Sequence, residues 1–307
     1  MNDYWLLLVF PSYHFAFRTF YMADKVISKY YKSISIGTFI FVTLNDILYN
    51  KNIYYEDDLM KNIKIFEDES LDDLQLNGLN LIQKKSAFRF GIDAVLLADF
   101  ANVKNKFRAI DLCTGTGIVP FLLYGKYNPN EVVGLEIQDE MVEMANRSVQ
   151  LNDLEDKVKF YEGDLKDIDF LKSLGKFDVL TVNPPYKLNN AGIKNTSDKL
   201  AIARHEILCN LEDVIKASRT LLKDNGRMFM VHRPERLADI ITLMRKYKIE
   251  PKRIKMVHPN SAKAPNIVLV EGQRDGGQFL KWEAPLYVYN LEGGYSKEID
   301  RIYGRGW

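Results

Sequence analysis

The sequence has few of the residue types that build metal centres or disulfide frameworks. Its 307 residues include two cysteines, Cys113 and Cys209, and four histidines. The cysteines are far apart and lack metal-ligand spacing, which argues against a structural zinc site and against disulfide stapling. We therefore expect a protein of the reducing cytoplasm that needs no metal.

An excess of charge of either sign is also missing. Lys and Arg together number 42 and Asp and Glu 41, so the formal net charge is +1. Overall charge therefore gives no reason to expect nucleic acid as a partner, and only local clusters can do so. Hydrophobic residues make up 47% and charged residues 27%, which is ordinary for a globular chain with one large domain. Nothing in the composition calls for an obligate protein partner.

Long apolar runs are absent too, although residues 1–59 are rich in Tyr, Phe and Ile. The runs "WLLLVF" and "SISIGTFIFVTL" are shorter than the roughly 18–20 residues that span a membrane. Three interpretations stay open: a small accessory domain, a weak membrane-surface segment, or a non-native extension translated from an upstream start. Met60 is followed by an ordinary N-terminal sequence, which favours the extension. We expect domain boundaries at 1–59 and 60–307 and no stable membrane association.

After Met60, predicted strands alternate with predicted helices. The strands are Phe107–Leu112, Glu131–Ile137, "KVKFYEGD", Phe177–Asn183 and "RMFMVH", and "RIKMVHP" with "NIVLVEGQR" forms a closing antiparallel pair. One helix is expected over "LEDVIKASRTLLKDNGR", with Gly226 just past its end as a C-terminal stop. This alternation predicts an α/β fold with a mostly parallel sheet and helices on both faces. Ligands of such sheets bind outside the carboxyl ends of the strands.

The turn Asp111–Gly117 follows the first of these strands, and Glu136 ends the next. Glycines in the turn allow a ligand close to the backbone, and a carboxylate after the second strand can accept both hydroxyls of a ribose. Nicotinamide-binding folds share these features. Here, however, Pro120 replaces the third glycine of that pattern, and Asp111 would repel a pyrophosphate but suits an ammonium group. S-adenosylmethionine has a ribose, an adenine and an ammonium, and it has no phosphate.

Further positions suit the same ligand. Asp164 and Leu165 follow the third strand, where Asp164 could accept the adenine amino group or could simply cap a turn. Arg89 and Asp93 stand in the segment before the first strand and could touch the edge of the ligand, although packing is an equally simple role for that segment. The predicted cofactor-binding residues are Arg89, Asp111, Thr114, Gly115, Gly117, Glu136, Asp164, Leu165 and Asn183.

The segment Asn183-Pro184-Pro185-Tyr186 ends the fourth strand and is the predicted catalytic site. An exocyclic adenine amine is a poor nucleophile because its lone pair is delocalised into the ring. The Asn183 side-chain oxygen and the Pro184 carbonyl could accept its two hydrogens, aim the lone pair at a methyl donor and stabilise the developing positive charge. Pro185 would make the carbonyl rigid, and Tyr186 offers a ring on which the base can stack.

A basic stretch follows this segment. Between residues 204 and 258 the chain has thirteen Lys and Arg against seven Asp and Glu, which is the local excess expected of a phosphate-binding surface. The polar segment 187–203 predicts a loop that could close over a flipped-out base. The predicted RNA contacts are Lys187, Arg204, His205, Arg233, Arg236, Lys252 and Arg253, any one of which could instead belong to a solvated helix face.

These motifs, in this order, resemble the class I methyltransferases that modify planar nitrogens. The segments "SAFRFGIDAVLLADF", "IDLCTGTGIVPFLL", "NPPY", "ARHEILCNLEDVI", "VHRPERLADII" and "NIVLVEGQRDG" together resemble the bacterial tRNA(Val) adenine-37 N6-methyltransferases, particularly their Gram-positive branch. The resemblance covers residues 71–304 and implies a Rossmann-like fold with a seven-stranded sheet, whose last strand is antiparallel. It also implies S-adenosylmethionine as cofactor and tRNA as partner. Two alternatives stay open: a glutamine-N5 protein methyltransferase and a non-catalytic module that binds S-adenosylmethionine or RNA.

Overall fold

The structure is a computed structural model that describes residues 63–85, 91–184 and 210–304. The chain divides between Met60 and Lys61 into two units, and all the described residues belong to the second. Its strands are β1 (Glu69–Asp73), β2 (Asn80–Lys84), β3 (Arg108–Leu112), β4 (Glu131–Glu136), β5 (Val158–Glu162), β6 (Phe177–Val182), β7 (Leu222–His232), β8 (Ile249–His258), β9 (Ile267–Arg274), β10 (Lys281–Trp282) and β11 (Leu286–Tyr287). The helices are α1 (Ile92–Ala101), α2 (Ile118–Tyr127), α3 (Asp139–Leu151), α4 (Ile168–Ser173), α5 (Leu211–Leu221), α6 (Leu237–Lys246) and α7 (Lys297–Ile302), with a 3-10 turn at Pro234–Arg236.

One sheet organises the described part of the chain, in the order β10-β8-β9-β7-β6-β3-β4-β5. Strand β9 is antiparallel to β7 and β8, whereas β7, β6, β3, β4 and β5 are mutually parallel. The seven longer strands have the predicted arrangement, with the antiparallel strand β9 inserted between β7 and β8. The structure adds two-residue strands β10 and β11, which both pair with β8 at the edge of the sheet. It also adds the separate β1–β2 hairpin.

Apolar side chains fill both faces of the sheet. One core joins strand residues such as Ala109 and Phe229 to helices α1, α2, α3 and α7, and the other joins Ile110 and Met230 to α4, α5 and α6. Successive strand residues point to opposite faces, and here both sets are apolar, as expected for a parallel sheet covered on both sides. The helices therefore leave the two ends of the sheet as the open surfaces.

The predicted end of the helix before β7 is wrong. Helix α5 ends at Leu221 and β7 begins at Leu222, so Gly226 lies inside a strand and not at a helix terminus. Leu222 is fully buried and pairs with Phe177 of β6. Burial of Leu222 against the sheet thus outweighs the helical pattern that continues through "LLKD". In the described ranges, no helix is both long enough and apolar enough to cross a membrane.

Candidate active site

The carboxyl ends of β6, β3 and β4 lie side by side. Leu112 of β3 is in register with Val182 of β6 and with Leu135 of β4. The next residues, Asn183 and Glu136, therefore stand at the same level on two strands separated by β3. Neighbouring strands are about 4.8 Å apart, so roughly 10 Å separates the two backbone positions. The sheet thus brings the predicted catalytic residue and the predicted ribose-binding residue to one edge.

Three residues of the turn after β3 have a left-handed backbone conformation. Cys113, Gly115 and Gly117 all have positive φ, at 55°, 57° and 90°. A Cβ on Gly117 would lie 2.4 Å from the ring of Phe160, so no larger residue fits there without displacing that ring. A Cβ on Gly115 would meet nothing within 4 Å. The first turn therefore approaches β5 closely at Gly117 and exposes backbone to an open space at Gly115.

Glu136 ties this turn to the turn after β4. Its Oε2 accepts the N–H of Gly115 at 2.9 Å. Its Oε1 accepts the N–H groups of Ile137 at 3.0 Å and Gln138 at 3.2 Å, and also the Gln138 Nε2 at 3.1 Å. Each carboxylate oxygen has about two acceptor positions, and Oε2 accepts one described donor, so it can accept a second. Glu136 is 6% exposed.

Asp111 is a buried acid and the second-to-last residue of β3. It is 2% exposed, and its Oδ1 accepts a hydrogen bond from the Thr181 hydroxyl at 2.6 Å. Burial raises the pKa of the Asp111 carboxyl to about 7, with a smaller rise from the negative charge of Glu136, while the hydroxyls of Thr181 and Thr114 lower it. The Thr114 hydroxyl is also buried and lies near Asp111, but it has no hydrogen bond of full geometry with a described residue. A positively charged donor group placed here would stabilise the charged form of Asp111.

A small cleft opens beside Glu136. It is lined by residues from three strand ends, namely Cys113, Leu135, Glu136, Ile137, Gly163, Asp164 and Leu165. Ile137 is 36% exposed, whereas Leu165 is buried, so the cleft has apolar walls. The Asp164 Oδ1 accepts the N–H of Lys166 at 2.9 Å, and its Oδ2 lies 3.6 Å from the Lys166 Nζ. Asp164 thus forms the predicted turn and also lines the cleft.

Asn183 is half-buried and Pro184 is buried, directly after β6. The Asn183 amide has no hydrogen-bond partner among the described residues, so both its oxygen and its N–H groups are free to meet a substrate. The neighbouring strand β7 pairs Met230 with Val182 and ends at His232, which is buried at the same edge. Burial lowers the pKa of His232 to about 4, helped by the positive charge of Arg236. His232 is therefore neutral at physiological pH.

Several predicted site residues lie outside the described residues, and nothing structural follows for them. They are Arg89, Pro185, Tyr186, Lys187, Arg204 and His205. Asp93 is described and is the second residue of α1, in the first turn of that helix.

The structure separates the four described candidates for RNA binding into two pairs. Arg233 and Arg236 follow β7 at the edge that carries Asn183. Lys252 and Arg253 are the fourth and fifth of the ten residues of β8. Arg253 is in register with Glu271 of β9, and through it with Phe229 of β7 and Thr181 of β6. The two residues therefore lie about midway along the sheet, three strands away from β6. Arg253 donates to Glu271 at 2.6 Å, to Glu283 at 3.0 Å and to the carbonyl of Phe100 at 2.7 Å. Its contacts are internal to the fold.

Ion pairs in the fold neutralise part of the positive charge that residues 204–258 carry in excess. Acids from outside residues 204–258 neutralise part of it: Glu298 pairs with Lys255 at 2.6 Å, and Glu271 pairs with Arg253. Within the stretch, Glu212 pairs with Lys246 at 2.7 Å. Arg236 pairs with Asp239 at 2.7 Å, yet its side chain stays 49% exposed. A count along the chain therefore overstates the free positive charge.

Comparison with known proteins agrees with this geometry. The profile of a family described as "Methyltransferase domain" matches residues 103–282, which is more than half of the chain. The chain belongs to this methyltransferase family. The crystal structure of a predicted O-methyltransferase from Agrobacterium tumefaciens superposes with a TM-score of 0.57 at 23% identity, covering 70% of this chain and 97% of that one. It shares the fold.

Two curated relatives carry a more specific name, tRNA1(Val) (adenine(37)-N6)-methyltransferase. The protein from Bacteroides thetaiotaomicron is 31% identical over 148 residues, which are 48% of this chain and 60% of the relative. The protein from Porphyromonas gingivalis is 26% identical over 231 residues, which are 72% of this chain and 89% of the relative.

The methyl donor of this methyltransferase is S-adenosylmethionine, and the residues at the edge of the sheet fit it. Buried Asp111 suits its ammonium group, and the unsatisfied Thr114 hydroxyl lies in the adjoining turn. The free acceptor position of Glu136 suits a ribose hydroxyl, and the apolar cleft with Asp164 suits the adenine. In the described residues, no group of three or more His, Cys, Asp or Glu side chains could hold a metal ion.

Thr181 and Ile137 are among the residues of the site that the sequence analysis did not identify. Thr181 hydrogen-bonds Asp111, and its signal was a lone polar residue in the otherwise apolar run "VLTV" of β6. Ile137 lines the cleft, and nothing in its residue type distinguishes it from a core residue. Only the pairing of β3 with β6, which sets Asp111 opposite Thr181, reveals the first of these contacts.

Proposed function

We propose that the chain transfers the methyl group of S-adenosylmethionine to the exocyclic N6 of an adenine in tRNA, adenine 37 of tRNA(Val). The observation that carries the proposal is the position of Asn183. Its amide has no partner in the described ranges and follows β6 at the level of the turn that suits the donor. The relatives that share 26–31% identity support the choice of tRNA. Assignment to the Gram-positive branch rests on the sequence motifs alone.

The residues after β6 would act on the acceptor amine. The Asn183 Oδ1 and the Pro184 carbonyl accept its two N–H hydrogens, which directs the nitrogen lone pair toward the donor. Positive charge that develops on this nitrogen is stabilised by the same two dipoles, which the fold holds in place before the reaction. The bound S-adenosylmethionine supplies an electrophilic methyl group. A strong general base is not needed, because the methylated nitrogen becomes acidic and can lose its proton to water.

The roles of Pro185 and Tyr186 rest on the sequence. In the proposal, Pro185 stiffens the Pro184 carbonyl and Tyr186 stacks on the adenine, which contributes about 1–3 kcal/mol. Among the basic residues, we assign tRNA contacts to Arg233 and Arg236, which share the edge with Asn183, and to Lys187, Arg204 and His205, which follow Tyr186 in sequence. Lys252 and Arg253 are not assigned a contact beside the methylated adenine, because they lie three strands away from β6. The proposed reaction takes place in the cytoplasm and requires no obligate protein partner.

The test is transfer of a labelled methyl group to tRNA from cells that lack the enzyme. We expect label in tRNA(Val), at adenine 37, with the wild-type chain. Asn183→Ala should abolish transfer while S-adenosylmethionine binds with nearly unchanged affinity, because the proposed role of Asn183 concerns the acceptor amine. Asn130→Ala is the control, since Asn130 is exposed at the start of β4, at the opposite end of the sheet.

Three results would contradict the proposal. Label in a protein instead of tRNA would indicate glutamine methylation, and no label at all would indicate a binding module. Loss of donor affinity in Asn183→Ala would place Asn183 in the donor site and remove the acceptor role.

A further inference from the structure

A cavity of about 440 Å³ opens beside the end of α1 and away from the turn that follows β3. It lies among side chains from the middle of β6, β7 and β8 and residues at the end of α1. The lining residues are Ala101, Asn102, Lys104, Phe107, Val179, Arg227, Phe229, Lys252, Arg253, Glu271 and Lys281. Its volume lies within the range of pockets that bind small molecules. None of these residues takes part in the methyl-donor site.

Positive charge is in excess around this cavity. Five of the lining side chains are cationic and only Glu271 is acidic. Glu271 is buried and pairs with both Arg227 and Arg253, and Arg253 also pairs with Glu283. Five cations therefore share two carboxylates.

The three lysines carry the uncompensated charge. Lys252 Nζ donates to the carbonyls of Gly277 at 2.9 Å and Gln278 at 3.0 Å, which hold its position without cancelling its charge. Lys104 and Lys281 are exposed, and neither forms an ion pair with an acid in the described ranges. Positive charges that line one cavity repel each other, and an anion bound among them relieves that repulsion. The cavity is thus arranged for an anionic ligand.

The cavity also has an apolar floor. Phe107, Val179 and Phe229 contribute to it, and the Lys104 Nζ lies 5.6 Å from the centre of the Phe107 ring. The carbonyl of Phe100, near the end of α1, accepts a hydrogen bond from the Arg253 Nη2 at 2.7 Å, which neutralises part of the negative charge at this helix terminus. A bare anion would leave the floor unused, whereas a nucleotide has both a phosphate and a flat apolar part.

We propose that this cavity binds a nucleotide, with its phosphate between Lys104, Lys252 and Lys281 and its base or sugar over the apolar floor. Free nucleotides and nucleotides within RNA share this chemistry. The segment anchored by Lys252 leads into two exposed aromatic side chains, Phe279 at 88% and Trp282 at 59% exposure. Such rings stack on bases of single-stranded RNA. This arrangement favours RNA as the source, and that part of the inference rests on the proposed function.

Binding measurements test the proposal without methyl transfer, so they stand even if the proposed reaction is wrong. The probes are AMP, inorganic phosphate and tRNA, each titrated into the full chain without S-adenosylmethionine. The test variant is Lys104→Gln with Lys281→Gln. The control, Lys159→Gln with Lys172→Gln, removes the same charge from β5 and α4, where both lysines are exposed and paired with acids.

We expect the test variant to weaken AMP or tRNA binding at least tenfold while the control changes it less than twofold. If RNA is the source, tRNA affinity falls and the slope of its logarithm against the logarithm of salt concentration decreases by up to about 0.7–0.9, because the contact with one phosphate is weakened. If free nucleotides are the source, AMP affinity falls and tRNA affinity does not. Equal effects of the two variants on both ligands would overturn the proposal. Phosphate binding as tight as AMP binding would refute the role of the apolar floor.

Discussion

Asp111 should make the stability of the protein depend on pH in a way that Asp111→Asn removes. Its pKa rises from 3.8 to about 7 on burial. An acid whose pKa is raised in the folded state stabilises the fold at pH values below its unfolded pKa and loses that contribution as pH rises toward the folded pKa. The affected window therefore runs from 3.8 to about 7. Above this window the fold contains a buried, charged carboxylate.

The magnitude follows from the two pKa values. One pKa unit corresponds to about 1.4 kcal/mol. Between about pH 5.5 and pH 8 the free energy of unfolding of the wild type therefore falls by about 2 kcal/mol. Asparagine has nearly the same shape, keeps an oxygen that can accept the hydrogen bond of Thr181, and cannot ionise. Asp111→Asn should therefore gain about 2 kcal/mol relative to wild type between about pH 5.5 and pH 8.

The difference between variant and wild type must be measured because His232 titrates in part of the same range. Its pKa falls from 6.5 to about 4 on burial. A base whose pKa is lowered loses stability as pH falls, which is the opposite sign to Asp111. Urea denaturation of the two proteins at several pH values cancels this contribution, because both retain His232.

Two further measurements decide whether Asp111 is responsible. Asp169→Asn, at a side chain that is 92% exposed, should give a difference from wild type that does not change with pH. Saturating S-adenosylmethionine should flatten the wild-type dependence, because its ammonium group stabilises the charged carboxylate. A difference between Asp111→Asn and wild type that is the same at pH 5.5 and pH 8 would refute the reasoning.

Two other predictions concern the donor site. Gly117→Ala should lower the free energy of unfolding by about 1–3 kcal/mol more than Gly293→Ala does. Both glycines have φ near 90°, but only Gly117 faces the Phe160 ring. Equal losses in thermal or urea denaturation would refute this steric argument. Glu136→Gln should weaken S-adenosylmethionine binding by about tenfold to a hundredfold, since charged acceptors form hydrogen bonds worth about 1.5–3 kcal/mol. Calorimetric titration measures this, with Glu155→Gln, an exposed site away from the cleft, as control; unchanged affinity would exclude Glu136 as a ribose contact.

Much of the fold could be predicted because local patterns and global packing agree. The seven longer strands of the large sheet each contain apolar residues, either in a run or alternating with polar ones, and the alternation with helices leaves a parallel sheet as the simplest arrangement. Prediction failed where tertiary burial outweighs a local pattern, as at Leu222, where pairing with Phe177 ends a helix that the residues alone would extend. It also omitted the strands Lys281–Trp282 and Leu286–Tyr287, which are too short to leave a pattern and exist because β8 offers them an unpaired edge.

By itself, the sequence determined the order of the strands along the chain, the glycine turn at Asp111–Gly117 and the segment that begins with Asn183. These are local features, in which neighbouring residues fix the backbone. Only the tertiary structure decided which residues meet. Strand register set Thr181 against Asp111, and the order of the strands placed Lys252 and Arg253 of β8 three strands away from β6, which Asn183 follows. Electrostatic partners come from distant parts of the chain, so the charge of a stretch becomes known only when the sheet is assembled.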